Sequence, residues 1–271
     1  MCGITGSLWT NEAQSISREQ LGKMTASLLH RGPDDCGEYF SSHSPSVSKP
    51  AVALGFRRLS IIDLQTGHQP IANEDESIWL IFNGEIYNYL ELKAELEADG
   101  HRFRTTSDSE VIVHLYEKYG TEMFQYLNGM FGLVLWDSHQ GKLVLGRDRL
   151  GQKPLYYATQ GERLLFASEL KSLLASGEIK REINPRALDY YFIYQYIPHP
   201  LCIFKDVQKL SPGHFAVYQN GQLKVEKYWN PDFNQTSELG TNDLQNQLYE
   251  LLTDSVKLRM QSDVPLGAFL S

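Results

Sequence analysis

Apolar residues along this chain keep two different periods. Short aliphatic and aromatic runs recur as AVALGF from Ala51, SIWLIF from Ser77, MFGLVLWD from Met130, KLVLGRD from Lys142 and RLLFAS from Arg163. Each has the length of a strand. Turn-rich links such as SHQG and TQGE join several of them, which predicts hairpins of an antiparallel sheet. Asn220-Gly221 within HFAVYQNGQLKVEKYW is a further hairpin signal. Elsewhere the spacing turns helical. LELKAELEADG, from Leu90, stops at Gly100. A second helical pattern starts at Ser107, with Glu110 three residues later as a candidate capping box, and runs through Val111, Ile112, Leu115 and Tyr119 to Gly120. Hairpins mixed with helix pairs, rather than repeated βαβ units, predict an α+β fold.

The pattern changes after the Asn220-Gly221 hairpin. A polar linker, NPDFNQTSELG, leads to a long amphipathic helix near Thr241, with Leu244, Leu248, Leu251, Leu252 and Val256 on one face. DVPLGAFLS then reads as a short buried strand. One helix and one strand cannot enclose a core. The expectation is therefore a first domain over 1–230 and the truncated start of a second over 240–271, which 271 residues allow.

Composition narrows the function classes. There are 25 Lys and Arg against 33 Asp and Glu, a net charge of −8. The basic residues are scattered, so a nucleic-acid partner is not expected. The first of them is Arg18, which leaves no charged region for a signal peptide, and no apolar run reaches membrane-spanning length. Three cysteines, Cys2, Cys36 and Cys202, form no CxxC pair. Neither a disulfide framework nor a zinc site is expected, and a cytoplasmic location is.

That leaves Cys2. Removing Met1 would put a thiol and an α-amine on one residue, both titrating near neutrality, so the amine can serve the sulfur as general base. The competing account is a small apolar residue in a first strand, GITGSLW, and a lipidated cysteine is a weaker rival. Other segments carry the same kind of alternative. In FNGEIYN, Asn83 and Gly84 follow an apolar strand and could supply an oxyanion hole or simply a turn. The adjacent arginines of FRRLSIID suit a ligand carboxylate or a surface. Asp108 stands at the mouth of a helix, where a cap is the plain reading. His30 and Arg31 precede a Gly-Pro turn, and His30 is not read as catalytic.

Taken in order, Cys2-Gly3-Ile4, His30-Arg31-Gly32-Pro33-Asp34, Arg58-Leu59-Ser60-Ile61, Asn83-Gly84-Glu85-Ile86-Tyr87-Asn88, Ser107-Asp108 and Gly146-Arg147-Asp148 resemble the class II glutamine amidotransferases. RDRLGQKPLYY, LLFASELKSLL and MQSDVPLGAFLS narrow the resemblance to the glutamine-hydrolysing asparagine synthetases. Phe56 departs from it, since a histidine is common before the arginine pair.

The resemblance implies an Ntn-hydrolase four-layer sandwich, two antiparallel sheets between helix layers. The first helix and strand of an α/β ATP-pyrophosphatase domain would follow. It assigns Cys2 as nucleophile and Asn83 and Gly84 as oxyanion holders. Arg58 would clamp the glutamine carboxylate, Glu85 and Asp108 would take its ammonium, and Ile61 and Ile62 would line the pocket. Ser271 would open the ATP loop, and no metal is implied for the glutaminase half, which needs no cofactor. ATP and Mg2+ are implied for the full-length synthetase, with glutamine, ATP and aspartate as its small-molecule partners. A homodimer is compatible with it; nucleic acid and membrane are not among its partners. Two rivals stay open: a relative with a polysaccharide or peptide acceptor, and a non-catalytic fragment.

Overall fold

Strand alternation decides how this chain stacks, because every second residue of a strand faces the same side. The computed structural model describes residues 1–268. In chain order its elements are β1 (Gly3–Trp9), α1 (Arg18–Ala26), β2 (Asp35–Phe40), β3 (Ala51–Arg58), β4 (Ile71–Ala72), β5 (Ile78–Ile86), α2 (Tyr89–Ala98), α3 (Glu110–Tyr119), β6 (Gly129–Asp137), β7 (Lys142–Arg147), β8 (Tyr156–Gln160), β9 (Arg163–Ala167), α4 (Leu170–Ala175), α5 (Pro185–Tyr194), β10 (Gln208–Lys209), β11 (His214–Gln219), β12 (Gln222–Lys227) and α6 (Thr241–Leu258). They form two six-stranded antiparallel sheets, ordered β10-β8-β9-β1-β3-β2 and β12-β11-β7-β6-β5-β4.

Ile4 and Leu8 of β1 and Val52, Leu54 and Phe56 of β3 face Ile81 of β5 and Val134 and Trp136 of β6 across the space between the sheets. The intervening residues turn outward. Trp9, Ala51 and Ala53 pack against Leu21 and Met24 of α1 and Leu173 of α4. Leu80, Phe82, Phe131 and Leu133 pack against Val111, Ile112 and Leu115 of α3 and Leu92 and Leu96 of α2. The result is the expected four-layer sandwich, helix, sheet, sheet, helix. The central layer alone buries sixteen aliphatic and aromatic side chains larger than alanine, each contributing roughly 1.5–3 kcal/mol.

Hairpins fall where the turn chemistry places them. Asn220 and Gly221 adopt φ of 51° and 78° between β11 and β12, the pair of left-handed residues that a tight hairpin requires. Two local expectations fail. Glu110 does not close a capping box on Ser107. Its carboxylate instead accepts the backbone N–H groups of Arg104 and Thr105, at 2.8 Å each. The box forms at Ser17 and Gln20, at the start of α1. Nor do the described residues of DVPLGAFLS form a buried strand. Residues 263–268 have no regular structure and Leu266 is exposed, while Ser271 lies outside the described residues. Helix α6 forms as expected, but its apolar face buries nothing. No described helix is long and apolar enough to cross a membrane.

Candidate active site

The parity that sends Ile4 and Ile81 between the sheets does the same for Cys2, Asn83 and Glu85. All three reach the mouth of the inter-sheet space, in a pocket of about 520 Å3 that also takes Arg58, Ile61, Ile62, Gly84 and Asp108. Every described residue of the expected site thus lies in one pocket.

The thiol is anchored first. Cys2 Sγ accepts the Leu59 N–H at 3.4 Å and faces the Leu59 carbonyl at 3.6 Å. Burial pushes the thiol above its ordinary value, and the Leu59 hydrogen bond and the Arg58 charge oppose that. Burial lowers the adjacent α-amine, carried here by Met1. Arg31 fixes the backbone: its Nε donates to the Cys2 carbonyl at 2.8 Å, and its Nη1 donates to Glu169 Oε1 at 2.9 Å. Burial disfavours ionised Glu169, yet hydrogen bonds from Arg31, His30 and Lys171 outweigh it and hold the carboxyl down at about 2.

Opposite the thiol, β5 offers an interrupted edge. Strand β4 pairs with it only at Leu80 and Trp79, so the next N–H groups on that edge need other partners. Phe82 N–H goes to Gln69 Oε1 at 2.6 Å, and Ile86 N–H to Asp108 Oδ2 at 2.8 Å. Gly84 N–H lies between them on the same edge. Its cross-strand neighbour Phe131 spends its own N–H and C=O on Asp148 instead, so Gly84 N–H is left facing the pocket. The Asn83 side chain is 1% exposed, and neither its Nδ2 nor its Oδ1 has a hydrogen-bond partner among the described residues. A buried primary amide left empty costs about 1–3 kcal/mol, which marks a ligand position.

Asn83-Gly84 is therefore no turn; it sits inside a strand. Glycine is required there for a reason the sequence did not disclose. A Cβ on Gly84 would stand 2.1 Å from the Met130 carbonyl of β6.

Charge is sorted across the pocket. Arg58 is 5% exposed, and its Nη2 donates to the carbonyls of Ile62, at 3.1 Å, and Asp63. Nε and Nη1 have no hydrogen bond among the described residues. Gly67 makes room for this guanidinium, since a Cβ there would lie 2.3 Å from Nη2. On the other side, burial and then the charge of Glu85 raise Asp108 to about 7. Burial also raises Glu85, with the ammonium of Lys153 working against it. The pocket thus holds the Arg58 guanidinium together with Glu85 and Asp108, neither of which forms a salt bridge among the described residues, a layout suited to a zwitterionic amino acid.

Sequence reasoning gave no role to Arg31, Lys153, Gln69 or Asp263. Arg31 and Lys153 stood in the quoted HRGPD and RDRLGQKP segments, which could have flagged them. Asp148 accepts the Lys153 N–H at 3.0 Å and Arg147 Nε donates to the Lys153 carbonyl at 2.8 Å, so that pair shapes the turn that delivers Lys153. Asp263 stands in MQSDVPLGAFLS, a segment read only for the second domain. Its Oδ2 accepts the Asp63 N–H at 2.7 Å and its own N–H donates to the Ile61 carbonyl at 2.9 Å, pinning the loop that Arg58 grips.

These features define a class. The glutamine amidotransferase domain family matches residues 1–229, and the chain belongs to that family. The fold agrees with that of two solved structures. One is the glutamine phosphoribosylpyrophosphate amidotransferase from B. subtilis, with a TM-score of 0.58 and 18% identity, covering 84% of this chain and 49% of that one. Another, described as the allosteric regulatory enzyme of purine biosynthesis, has a TM-score of 0.61 at 18% identity over 87% of this chain and 50% of that one.

Curated relatives are more specific. Asparagine synthetase [glutamine-hydrolyzing] 1 of Bacillus subtilis is 42% identical over all of this chain and 42% of its own length. Putative asparagine synthetase [glutamine-hydrolyzing] 2 of Methanocaldococcus jannaschii is 37% identical over all of this chain and 54% of its own. Amidase chry2 of Gibberella zeae is 35% identical over all of this chain and 41% of its own. The chain spans about half the length of the curated relatives it matches.

Proposed function

We propose that this chain hydrolyses glutamine to glutamate and ammonia at Cys2, once Met1 is removed. Arg58 holds the substrate carboxylate, while Glu85 and Asp108 hold its ammonium. The side-chain amide then reaches Sγ with its carbonyl oxygen between Asn83 Nδ2 and Gly84 N–H. Sγ bonds to the amide carbon as its proton passes to the Cys2 α-amine. The oxyanion collapses, the carbon–nitrogen bond breaks, and that proton leaves with ammonia. Water adds to the thioester, which releases glutamate and restores the thiol. Ile61 and Ile62 wall the substrate's aliphatic stem.

One observation carries this reading: a fully buried, partnerless Asn83 amide beside an unclaimed Gly84 N–H, across the pocket from a cysteine.

In the longer relatives the ammonia would serve an ATP-dependent step, and the chain's likeness to asparagine synthetases favours aspartate as acceptor and asparagine as product. Residues 1–230 would form the glutaminase domain and 240–271 the beginning of the synthetase domain. ATP and Mg2+ would act in that second part; among the described residues none forms a phosphate cradle. The likeness to Amidase chry2 keeps a different acceptor as the second reading.

The test is ammonia release from glutamine by Met1-processed protein, without ATP or aspartate, beside Cys2→Ala. Release that vanishes in Cys2→Ala is the expected result. Release that survives the substitution would remove Cys2 from the chemistry.

A further inference from the structure

One cluster on the outer helix layer takes no part in glutamine binding. Glu74 lies in the turn between β4 and β5, His101 in the link after α2, and His114 and Glu117 lie one turn apart on α3. Each offers one donor atom, and the four atoms lie within 4.8 Å of one another. His114 Nδ1 is 2.9 Å from Glu117 Oε2 and 3.6 Å from Glu74 Oε2, and His101 Nδ1 is 3.4 Å from Glu117 Oε2. Atoms each about 2.0–2.1 Å from one tetrahedral ion stand about 3.4 Å apart; the 3.4 and 3.6 Å separations match that spacing, the 2.9 Å pair is a hydrogen bond that an ion would replace, and the cluster, which spans up to 4.8 Å, would draw in around the ion.

The surroundings point the donors inward. Glu74 spends Oε1 on the Arg102 N–H, and Glu117 spends Oε1 on Asn73 Nδ2, at 2.9 Å each. Both turn Oε2 to the centre. His114 is fully buried, and its Nε2 has no hydrogen-bond partner while facing Glu110 Oε1 at 3.8 Å. Glu110 stands on the Nε2 side just beyond hydrogen-bond distance, so a small approach would let it accept the Nε2 proton and leave Nδ1 as a lone pair, the usual arrangement behind a metal ligand. Charge agrees. Three carboxylates, Glu74, Glu110 and Glu117, converge on two imidazoles, and among the described residues no lysine or arginine forms a salt bridge with any of them.

We propose that Glu74, His101, His114 and Glu117 form a tetrahedral site for a divalent transition-metal ion of the zinc type. Four protein donors leave no open position, so the ion is structural. It clips the β4–β5 turn and the link after α2 onto α3. That helix starts two residues beyond Asp108, so the clip also steadies the carboxylate that caps the Ile86 N–H.

The test is titration of the chelator-stripped full chain with Co2+, then Zn2+. One Co2+ per chain should bind with the strong visible absorption of tetrahedral cobalt, without a thiolate charge-transfer band, and Zn2+ should displace it and raise Tm. His101→Ala and Glu74→Gln, both at partly exposed positions that leave the buried His114 in place, should each weaken binding more than tenfold. A network of protonated histidines without a metal predicts no saturable Co2+ binding, and that result would overturn the site. So would binding that both substitutions leave unchanged.

Discussion

Glutamine affinity should depend steeply on pH because Asp108 must lose a proton to receive an ammonium. Burial and the neighbouring Glu85 charge raise this carboxyl from 3.8 to about 7. That displacement corresponds to about 4 kcal/mol against the ionised form. Below pH 7 the ligand-free pocket therefore holds a proton that zwitterionic glutamine must expel. The dissociation constant should rise about tenfold for each pH unit below about 7 and flatten above it.

Calorimetry on Cys2→Ala, which binds without turnover, reads this directly. Repeated in buffers of different ionisation enthalpy, it should report nearly one proton released per glutamine at pH 6 and almost none at pH 8. Asp108→Asn should bind weakly with no such slope. Glu85→Gln should keep the slope but move its midpoint down, since Glu85 helps to raise Asp108. The same shift acts on stability with a definite sign. A carboxyl raised in the fold holds its proton there but not in the unfolded chain, so ligand-free stability falls as pH rises from about 4 to 7. Asp108→Asn should thus raise Tm at pH 8 and change it little at pH 4. A wild-type affinity flat from pH 5.5 to 8.5, or a slope that survives Asp108→Asn, would refute the reasoning.

Three further outcomes follow from named contacts. Arg58→Ala should raise the glutamine KM by roughly 10- to 100-fold, since a charge-assisted hydrogen bond contributes about 1.5–3 kcal/mol; steady-state kinetics with an unchanged KM would discard the clamp. Arg31→Met should cost about 1–3 kcal/mol of stability in urea unfolding, because it removes the buried partner of Glu169, leaving only His30 and Lys171, and frees the Cys2 carbonyl. Glu169 is held down at about 2, so the stabilisation from this pair should be complete above about pH 4.5 and fade as pH falls toward 2. Asp263→Ala should loosen the Ile61–Asp63 segment and raise the glutamine KM several-fold with little change in kcat, whereas Asp263→Asn, which keeps an acceptor for the Asp63 N–H, should restore most of the affinity.

Short apolar runs and turn chemistry made most of this fold legible, and the reason lies in which interactions are local. Ile4, Ile81 and Trp136 stand in runs apolar on both faces, and with the sheets stacked their parity puts them in the inter-sheet layer. The same parity, carried to Cys2, Asn83 and Glu85, brings the reactive residues together once the sheets stack. What stayed hidden depends on partners far along the chain. Ser107-x-x-Glu110 satisfies a capping pattern, yet Glu110 finds better donors in the backbone of Arg104 and Thr105, three-dimensional neighbours that no helix rule includes. Val264 and Leu266 read as a buried strand because apolar residues are expected inside, but a strand must be given a sheet edge, and among the described residues the segment 263–268 is hydrogen-bonded to the body of the domain through Asp263 and the Ile61–Asp63 loop, not through a strand. The Gly84 requirement belongs to the same class: the pocket uses its N–H, but the obstacle to any side chain is the Met130 carbonyl one strand away. A site of this kind announces its reactive groups in the sequence and conceals the groups that hold them. For that reason Arg31, Gln69 and Asp263, rather than Cys2, are where substitutions will separate a correctly built pocket from a merely correct inventory of residues.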